Sequence, residues 1–415
     1  MTEEQGRDTG QGSPSDRSEA LRRTMVEKLA ADRAIRTESV RAAFEAVPRE
    51  QFVPEIATRD GLGAVYEPQA ALVTATDARG APTSSSSAPA IMAKMLEQLQ
   101  LGPDMHVLEV GAGTGYNAAL LKHLVGDSGR VTSIELDARC ARQARRALTG
   151  SGYRCRVITG DGHQGWPKAA PFERIIATAS CDHVPQTWRD QLVDGGLIEL
   201  PLRLTEAHMP QVIACFQRHG DQLRSTAVIL GGFMEMRRPS SAPNPVKQPS
   251  RLTASAGGIQ PTLRRSLDGD GLERLTGAAA KRALALILGR PRSIRTTTRP
   301  DGLNTFLALS RDPLMLRCAL DSRFGMAIVA PDGRSVVAVT RSAGRPTTGR
   351  IEAWGDDHAE RILAEHIQRW QDAGRPAVEN LHLAVSYSER PPGNHWRNIT
   401  RYDSIITLDW DSSSQ

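Results

Sequence analysis

The chain has 415 residues, more than one ordinary core organises, so two or three domains are expected. Hydrophobic residues make up 40% and charged residues 24%, the balance of a soluble globular protein, and no run approaches the ~20 apolar residues that span a membrane. With 52 basic against 47 acidic residues the net charge is only +5, and aromatics are 4%, which argues against a nucleic-acid binder built on basic stripes or stacking platforms.

Residues 1–17 are polar and acidic, lack the pattern of a signal peptide and are expected to be disordered. Leu21, Met25 and Leu29 recur every four residues and predict a helix. Val40, Phe44 and Val47 predict a second, stopped at Pro48. The stretch GAPTSSSSAP, residues 80–89, is a loop by composition. A helix with Ile91, Met92, Met95, Leu96 and Leu99 follows.

From His106 the pattern changes. Strands at Val107–Val110, Val131–Leu136, Arg156–Thr159, Arg174–Thr178 and Leu197–Leu200 alternate with helices at Ala118–Leu124, Ala141–Leu148 and Trp188–Leu192. Such alternation predicts an α/β, Rossmann-like parallel sheet with helices on both faces, preceded here by N-terminal helices. Two strands, Gln211–Phe216 and Ser225–Leu230, flank a turn at His219-Gly220-Asp221.

Residues 239–265, dense in Pro, Ser and Gly, read as a linker between a catalytic domain over 18–238 and an additional α+β domain over 266–415. That second part carries a hairpin around Pro331-Asp332-Gly333, an amphipathic helix with Ile362, Leu363, His366, Ile367 and Trp370, and strands at Leu381–Tyr387 and Ser404–Trp410. Trp354, Trp370, Trp396 and Trp410 read as core packing before they read as a peptide-binding face. The five cysteines are widely spaced without a CxxC, so neither a disulfide framework nor a metal site is expected, and a reducing cytoplasm fits.

The sharpest motif is LEVGAGTGYNAALL, residues 108–121. A strand ends at Val110, and Gly111, Gly113 and Gly115 let the chain turn tightly against a ligand as the next helix opens. Glu109 sits in the strand end, and Glu135 closes the next strand, where a carboxylate accepts both hydroxyls of a ribose. Asp161 closes the third, placed to accept from an adenine amino group. A pyrophosphate wants bare N–H groups and positive potential. Acids on this edge suit S-adenosylmethionine instead, whose sulfonium and ammonium are cationic. Read as structure alone, the same residues are turn glycines and solvated acids.

The run GDGHQGWPKAAPFERIIATASCDHVP, residues 160–185, and AVPREQFVP, residues 46–54, resemble protein-L-isoaspartate O-methyltransferases, over about residues 18–238. The resemblance implies an S-adenosylmethionine-dependent peptide carboxyl O-methyltransferase that releases S-adenosylhomocysteine. The cofactor set it implies is Glu109, Gly111, Ala112, Gly113, Tyr116, Glu135, Leu136, Asp161 and Gly162. The family's T-[IL]-S-x-P element reads Ser85-Ser86-Ser87-Ala88-Pro89, so Ser85, Ser86 and Ser87 are the implied catalytic residues, with Ser86 in an aliphatic position. Ser84, His183 and Phe233 are the expected substrate contacts. The run Gly231–Met236 departs from the family's VRFVPL-like strand and keeps only Phe233.

The physical reading of the serines is that hydroxyls orient a carboxylate already ionised at neutral pH, so no general base is needed. The bland reading is a solvated serine loop, and for His163, His183 and Trp166 a structural role. The serine run, the altered strand and the added domain also resemble a bacterial branch that methylates an aspartate of ribosomally made, macrocyclised peptides such as lanthipeptides and graspetides, leading through succinimide to isoaspartate. That branch is the first expectation; repair of isoaspartyl proteins is the alternative, and a non-catalytic module the third. The expected partner is a peptide or an isoaspartyl protein, with no nucleic acid or membrane and a monomeric chain.

Overall fold

The computed structural model describes residues 13–78, 80, 82–205, 211–239, 251–256, 263–268, 271–310, 312–342, 348–387 and 395–410. The chain forms two compact units that interleave in sequence. The first takes residues 1–179, 187–199 and 233–239; the second takes 180–186, 200–232 and 240–415. This division differs from the expected boundaries at 239 and 266, because segments of the family-like half belong to the second unit.

The first unit opens with helices α1 (Pro14–Ala31), α2 (Glu38–Ala46), α3 (Pro54–Asp60) and α4 (Leu62–Val65). Of the stretch expected to be disordered, residues 1–12 lie outside the described residues, and from Pro14 onward it is the start of α1, where Ser13 and Asp16 form a reciprocal capping box. A hairpin follows, β1 (Leu72–Thr76) and β2 (Pro82–Ser86), in place of the expected serine loop. Composition hid it: the serines become a strand through pairing with Leu72–Thr76. Helix α5 (Pro89–Gln98) returns to the core, and its buried Glu97 accepts from Arg36 N at 2.7 Å and Thr37 N at 2.8 Å, fixing the entry to α2.

The strands and helices then alternate as β3 (His106–Val110), α6 (Tyr116–Val125), β4 (Arg130–Glu135), α7 (Ala138–Gly150), β5 (Arg156–Thr159), β6 (Phe172–Ala177), α8 (Gln186–Gln191) and β7 (Leu192–Arg203). In this unit the parallel order is β7-β6-β3-β4-β5. The chain moves outward from β3 through β4 to β5 and then restarts on the other side at β6. The carboxyl ends of β3 and β6 therefore flank the topological switch point, where sheets of this kind bind ligands. β3 is buried throughout, as a central parallel strand covered on both faces must be.

The second unit contains β8 (Gln211–His219), β9 (Gln222–Leu230), β10 (Arg251–Ala256), β11 (Leu263–Asp268), α9 (Gly271–Arg274), α10 (Gly277–Leu288), β12 (Ser293–Thr298), α11 (Pro300–Leu309), β13 (Met315–Leu320), β14 (Arg323–Val329), β15 (Ser335–Ser342), β16 (Thr348–Gly355), α12 (His358–Asp372), β17 (Leu381–Ser386), β18 (Arg397–Arg401) and β19 (Ser404–Trp410). β10 lies in the stretch expected to be a linker, whose residues 240–250 and 257–262 are outside the described residues.

An antiparallel sheet runs β10-β11-β13-β14-β15-β16-β12. β15 shows how it is covered on both faces. Val336 and Ala338 join one core with Ala283 and Ile287 of α10, while Val337 and Val339 join the other with Leu303 and Phe306 of α11 and Leu363 and Trp370 of α12. The tryptophans do not share one face. Trp354 and Trp370 fall in different cores, while Trp396 is exposed beside Trp410. The remaining strands pair antiparallel in the order β8-β9-β17-β19-β18. Among the described residues no helix is long and apolar enough to cross a membrane, and no three acidic, histidine or cysteine residues gather as a metal site.

Candidate active site

The glycine loop is built for close approach. Gly111, Gly113 and Gly115 have φ of 101°, 51° and 89°, a region that L side chains avoid. A Cβ on Gly111 would stand 2.7 Å from Thr178 Oγ1 at the end of β6. That hydroxyl donates to the Gly111 carbonyl at 2.7 Å, tying the ends of β3 and β6 together. Gly111 N and Ala112 N both donate to the Ile134 carbonyl, at 2.8 and 3.1 Å, which holds the loop down on β4.

Glu135 closes β4 with its carboxylate at the loop: Oε2 accepts from Gly113 N at 2.9 Å and Oε1 from Asp137 N at 3.0 Å. Leu136 beside it is half-buried. Asp161 caps the short turn after β5, accepting from His163 N at 3.0 Å and meeting His163 Nδ1 at 2.9 Å. His163 is thereby assigned to holding Asp161. Gly162 is buried, and a Cβ there would meet Val110 Cγ1 at 2.5 Å. The Gly162 carbonyl accepts from Trp188 Nε1 at 2.8 Å, so the backbone is pinned. Phe233 is half-buried, and its segment returns over this corner, with Met236 Sδ 3.5 Å from the Cβ that Gly162 lacks.

Glu109 and Tyr116 lie beneath the loop instead of beside an open cleft. Glu109 is 0% exposed, with Oε1 accepting from Asn117 Nδ2 at 2.8 Å and Oε2 from the Ser133 hydroxyl. Tyr116 is buried against Phe44 and Phe52, with the Arg49 guanidinium 5.7 Å from its ring centroid. Both side chains shape the floor rather than offering surface to a ligand.

Burial pushes the Glu109 carboxyl up from 4.5 to about 7, against the hydrogen bonds of Ser133 and Asn117 and with the charge of Glu135. The folded group thus keeps its proton over a range where the unfolded chain has lost it. Its contribution is full below about pH 4.5 and disappears as pH rises to about 7, a swing of about 3 kcal/mol. Glu109→Gln is therefore expected to flatten the stability profile between pH 5 and 7 and to match or exceed the parent at pH 8, measured by denaturant unfolding. An unchanged slope would show that another group sets it.

The serine hairpin hangs on a residue that the sequence reading passed over. Arg49, within the AVPREQFVP segment of residues 46–54, is 0% exposed. It donates to the Val65 and Ser87 carbonyls at 2.8 Å each, and to the Ser86 carbonyl and Ser86 Oγ at 3.3 Å. This explains the hydroxyl in an aliphatic position: Ser86 is buried and partnered. Ser84 Oγ accepts from Thr74 Oγ1 at 3.0 Å. Ser85 and Ser87 are half-buried, and their hydroxyls have no partner among the described residues. The Ser85 carbonyl lies 3.5 Å from a Cβ placed on Gly113, so the hairpin backbone sits against the glycine loop. A cleft of about 580 Å³ opens there, walled by Ser84, Gly113, Thr114, Phe52 and Cys140, a size ordinary for small ligands.

His183 belongs to the second unit. Its Nδ1 meets Asp182 Oδ1 at 2.7 Å, and Arg203 lies 3.6 Å from Asp182 Oδ2. Burial works to raise the Asp182 carboxyl, but His183, Arg203 and Arg401 prevail and hold it near 2.

Residues 20–231 match the family described as Protein-L-isoaspartate(D-aspartate) O-methyltransferase. The chain belongs to this family. It is 40% identical over 190 residues to the protein-L-isoaspartate O-methyltransferase of Hyperthermus butylicus, covering 44% of this chain and 74% of that one. It is 36% identical over 237 residues to that of Parvibaculum lavamentivorans, covering 57% and 96%. A solved protein-L-isoaspartate O-methyltransferase aligns with 94% of this chain and 99% of its own at 23% identity and a TM-score of 0.49. Protein-L-isoaspartate O-methyltransferases take their methyl group from S-adenosylmethionine, so this is a donor-dependent protein carboxyl O-methyltransferase. The residues present fit that donor: a loop without side chains at Gly111 and Gly113, and the carboxylates of Glu135 and Asp161 at successive strand ends.

Proposed function

We propose that this chain methylates the free α-carboxylate of isoaspartyl residues in proteins and peptides, where the main chain runs through the side-chain carbonyl, which reverses the order of the two substrate readings drawn from the sequence. What supports this most is the family match over residues 20–231, which takes in the glycine loop, the acidic strand ends and the serine hairpin together. The donor supplies an electrophilic methyl on a sulfonium. Glu135 would hold the ribose hydroxyls, and Asp161, with Gly162 and Leu136, the adenine corner.

The substrate carboxylate is ionised at neutral pH and needs alignment and dehydration more than activation. Ser85 and Ser87 suit that task, because their hydroxyls are not engaged elsewhere among the described residues. Ser86 acts through Arg49 as part of the scaffold. One carboxylate oxygen forms a bond to the methyl carbon as the carbon–sulfur bond breaks, giving the ester and S-adenosylhomocysteine. The neighbouring peptide nitrogen of the product can then expel methanol and close a succinimide. His183 and Phe233 would meet the peptide.

A second reading is methylation of a normal aspartate in a macrocyclised precursor peptide. It is favoured by the altered run Gly231–Met236 and by a chain that continues well past the family match. Intact-mass analysis separates the two. Short isoaspartyl peptides should gain one methyl group while their aspartyl counterparts do not. Methylation of aspartate alone, within a cyclised peptide, would replace the first reading with the second.

A further inference from the structure

We propose that Tyr402 is a positioning residue for the peptide substrate, carried by the β18–β19 hairpin onto the loop of residues 180–186. The proposal rests on the reading that His183 meets the peptide, and its grounds lie within the second unit. Arg401 pairs with Ser404, leaving Tyr402 and Asp403 as the two turn residues. Tyr402 has φ +49°. Two-residue hairpin turns give positive-φ positions to Gly, Asn or Asp, because a Cβ crowds the backbone there. An aromatic residue in that conformation points to a task for its side chain.

The side chain contacts the substrate loop in two ways. Its ring centroid lies 4.4 Å from that of His183, tilted by 41°. Its hydroxyl donates to Asp182 Oδ2 at 3.3 Å, the same carboxylate whose Oδ1 meets His183. Asp403 then accepts from Gln186 N at 3.1 Å, and the Tyr387 hydroxyl donates to the Val184 carbonyl at 3.1 Å. The C-terminal segment thus grips the loop at three points. His183 is 5% exposed, whereas Tyr402 keeps 49% of its surface open. Tyr402 therefore forms the outer layer over His183. A peptide coming to His183 meets an aromatic surface that holds flanking side chains by apolar contact and stacking, largely indifferent to their charge.

The test uses the full chain with a short isoaspartyl peptide. Tyr402→Gly removes the ring while relaxing the backbone at positive φ, and Tyr402→Phe keeps the ring without the hydroxyl. Tyr402→Gly is expected to raise the peptide KM about tenfold, with kcat and calorimetric affinity for S-adenosylhomocysteine within about twofold of the parent. Tyr402→Phe should recover most of the loss. An unchanged KM in Tyr402→Gly overturns the proposal. So does a parallel fall in kcat, donor affinity and melting temperature, which is what a purely structural residue gives. A parent chain that binds S-adenosylhomocysteine but methylates neither isoaspartyl nor aspartyl peptides would instead overturn the functional reading, and this proposal with it.

Discussion

Arg49→Leu is expected to destabilise the first unit by about 3–5 kcal/mol and to remove methyl transfer with it. The guanidinium is buried, and burial pulls its pKa down to about 10, so it stays charged at neutral pH. Leucine would leave the Val65, Ser86 and Ser87 carbonyls without their donor in a water-free setting. The loss would fall on the hairpin that carries the serines, because three of the four contacts are to Ser86 and Ser87. Arg49→Lys should be intermediate, since one ammonium cannot reproduce a planar fork reaching in two directions. Thermal unfolding and donor binding measure both effects. A leucine variant that melts and methylates like the parent would show that the hairpin holds itself in place.

Glu135→Ala should lower affinity for S-adenosylhomocysteine about 100-fold or more. Two charge-assisted hydrogen bonds to a ribose are together worth roughly 3 kcal/mol. The structure places the carboxylate at the loop, held by Gly113 N and Asp137 N, so its orientation is set before any ligand arrives. Glu135→Gln keeps the size and one acceptor and should lose less. Calorimetry decides, with circular dichroism confirming that the strand end survives. Affinity within a few-fold of the parent in Glu135→Ala would remove this residue from the donor site.

The parts of the site that depend on local pattern were readable from the sequence. A short apolar strand, a glycine turn and a helix follow one another in residues 106–125, and the acidic strand ends come in register behind them. The chain's own chemistry fixes those positions whatever surrounds them. Residues 80–89 were not readable in this way. Their strand exists because Leu72–Thr76 pairs with them and Arg49 reaches across from another element, and composition carries neither fact. Glu109 misled for a related reason: its place in the motif is plain, but Ser133 and Asn117, which take up its oxygens, come from β4 and α6. Tyr402 was equally hidden, because its contact with His183 spans more than two hundred positions of sequence.

The pairing of β17 with β9, Ala384 opposite Arg224 and Val385 opposite Leu223, bears on how this protein can be cut or recombined. A gene truncated near codon 265 would look like a tidy single-domain enzyme on paper. It would strip the neighbour from β9 and leave a bare row of amides and carbonyls, which invites strand-to-strand aggregation. Grafting the terminal half onto a shorter homologue would fail for the mirror-image reason, since β17 would arrive without its edge to dock on. β9 and β17 are therefore best expressed and engineered together.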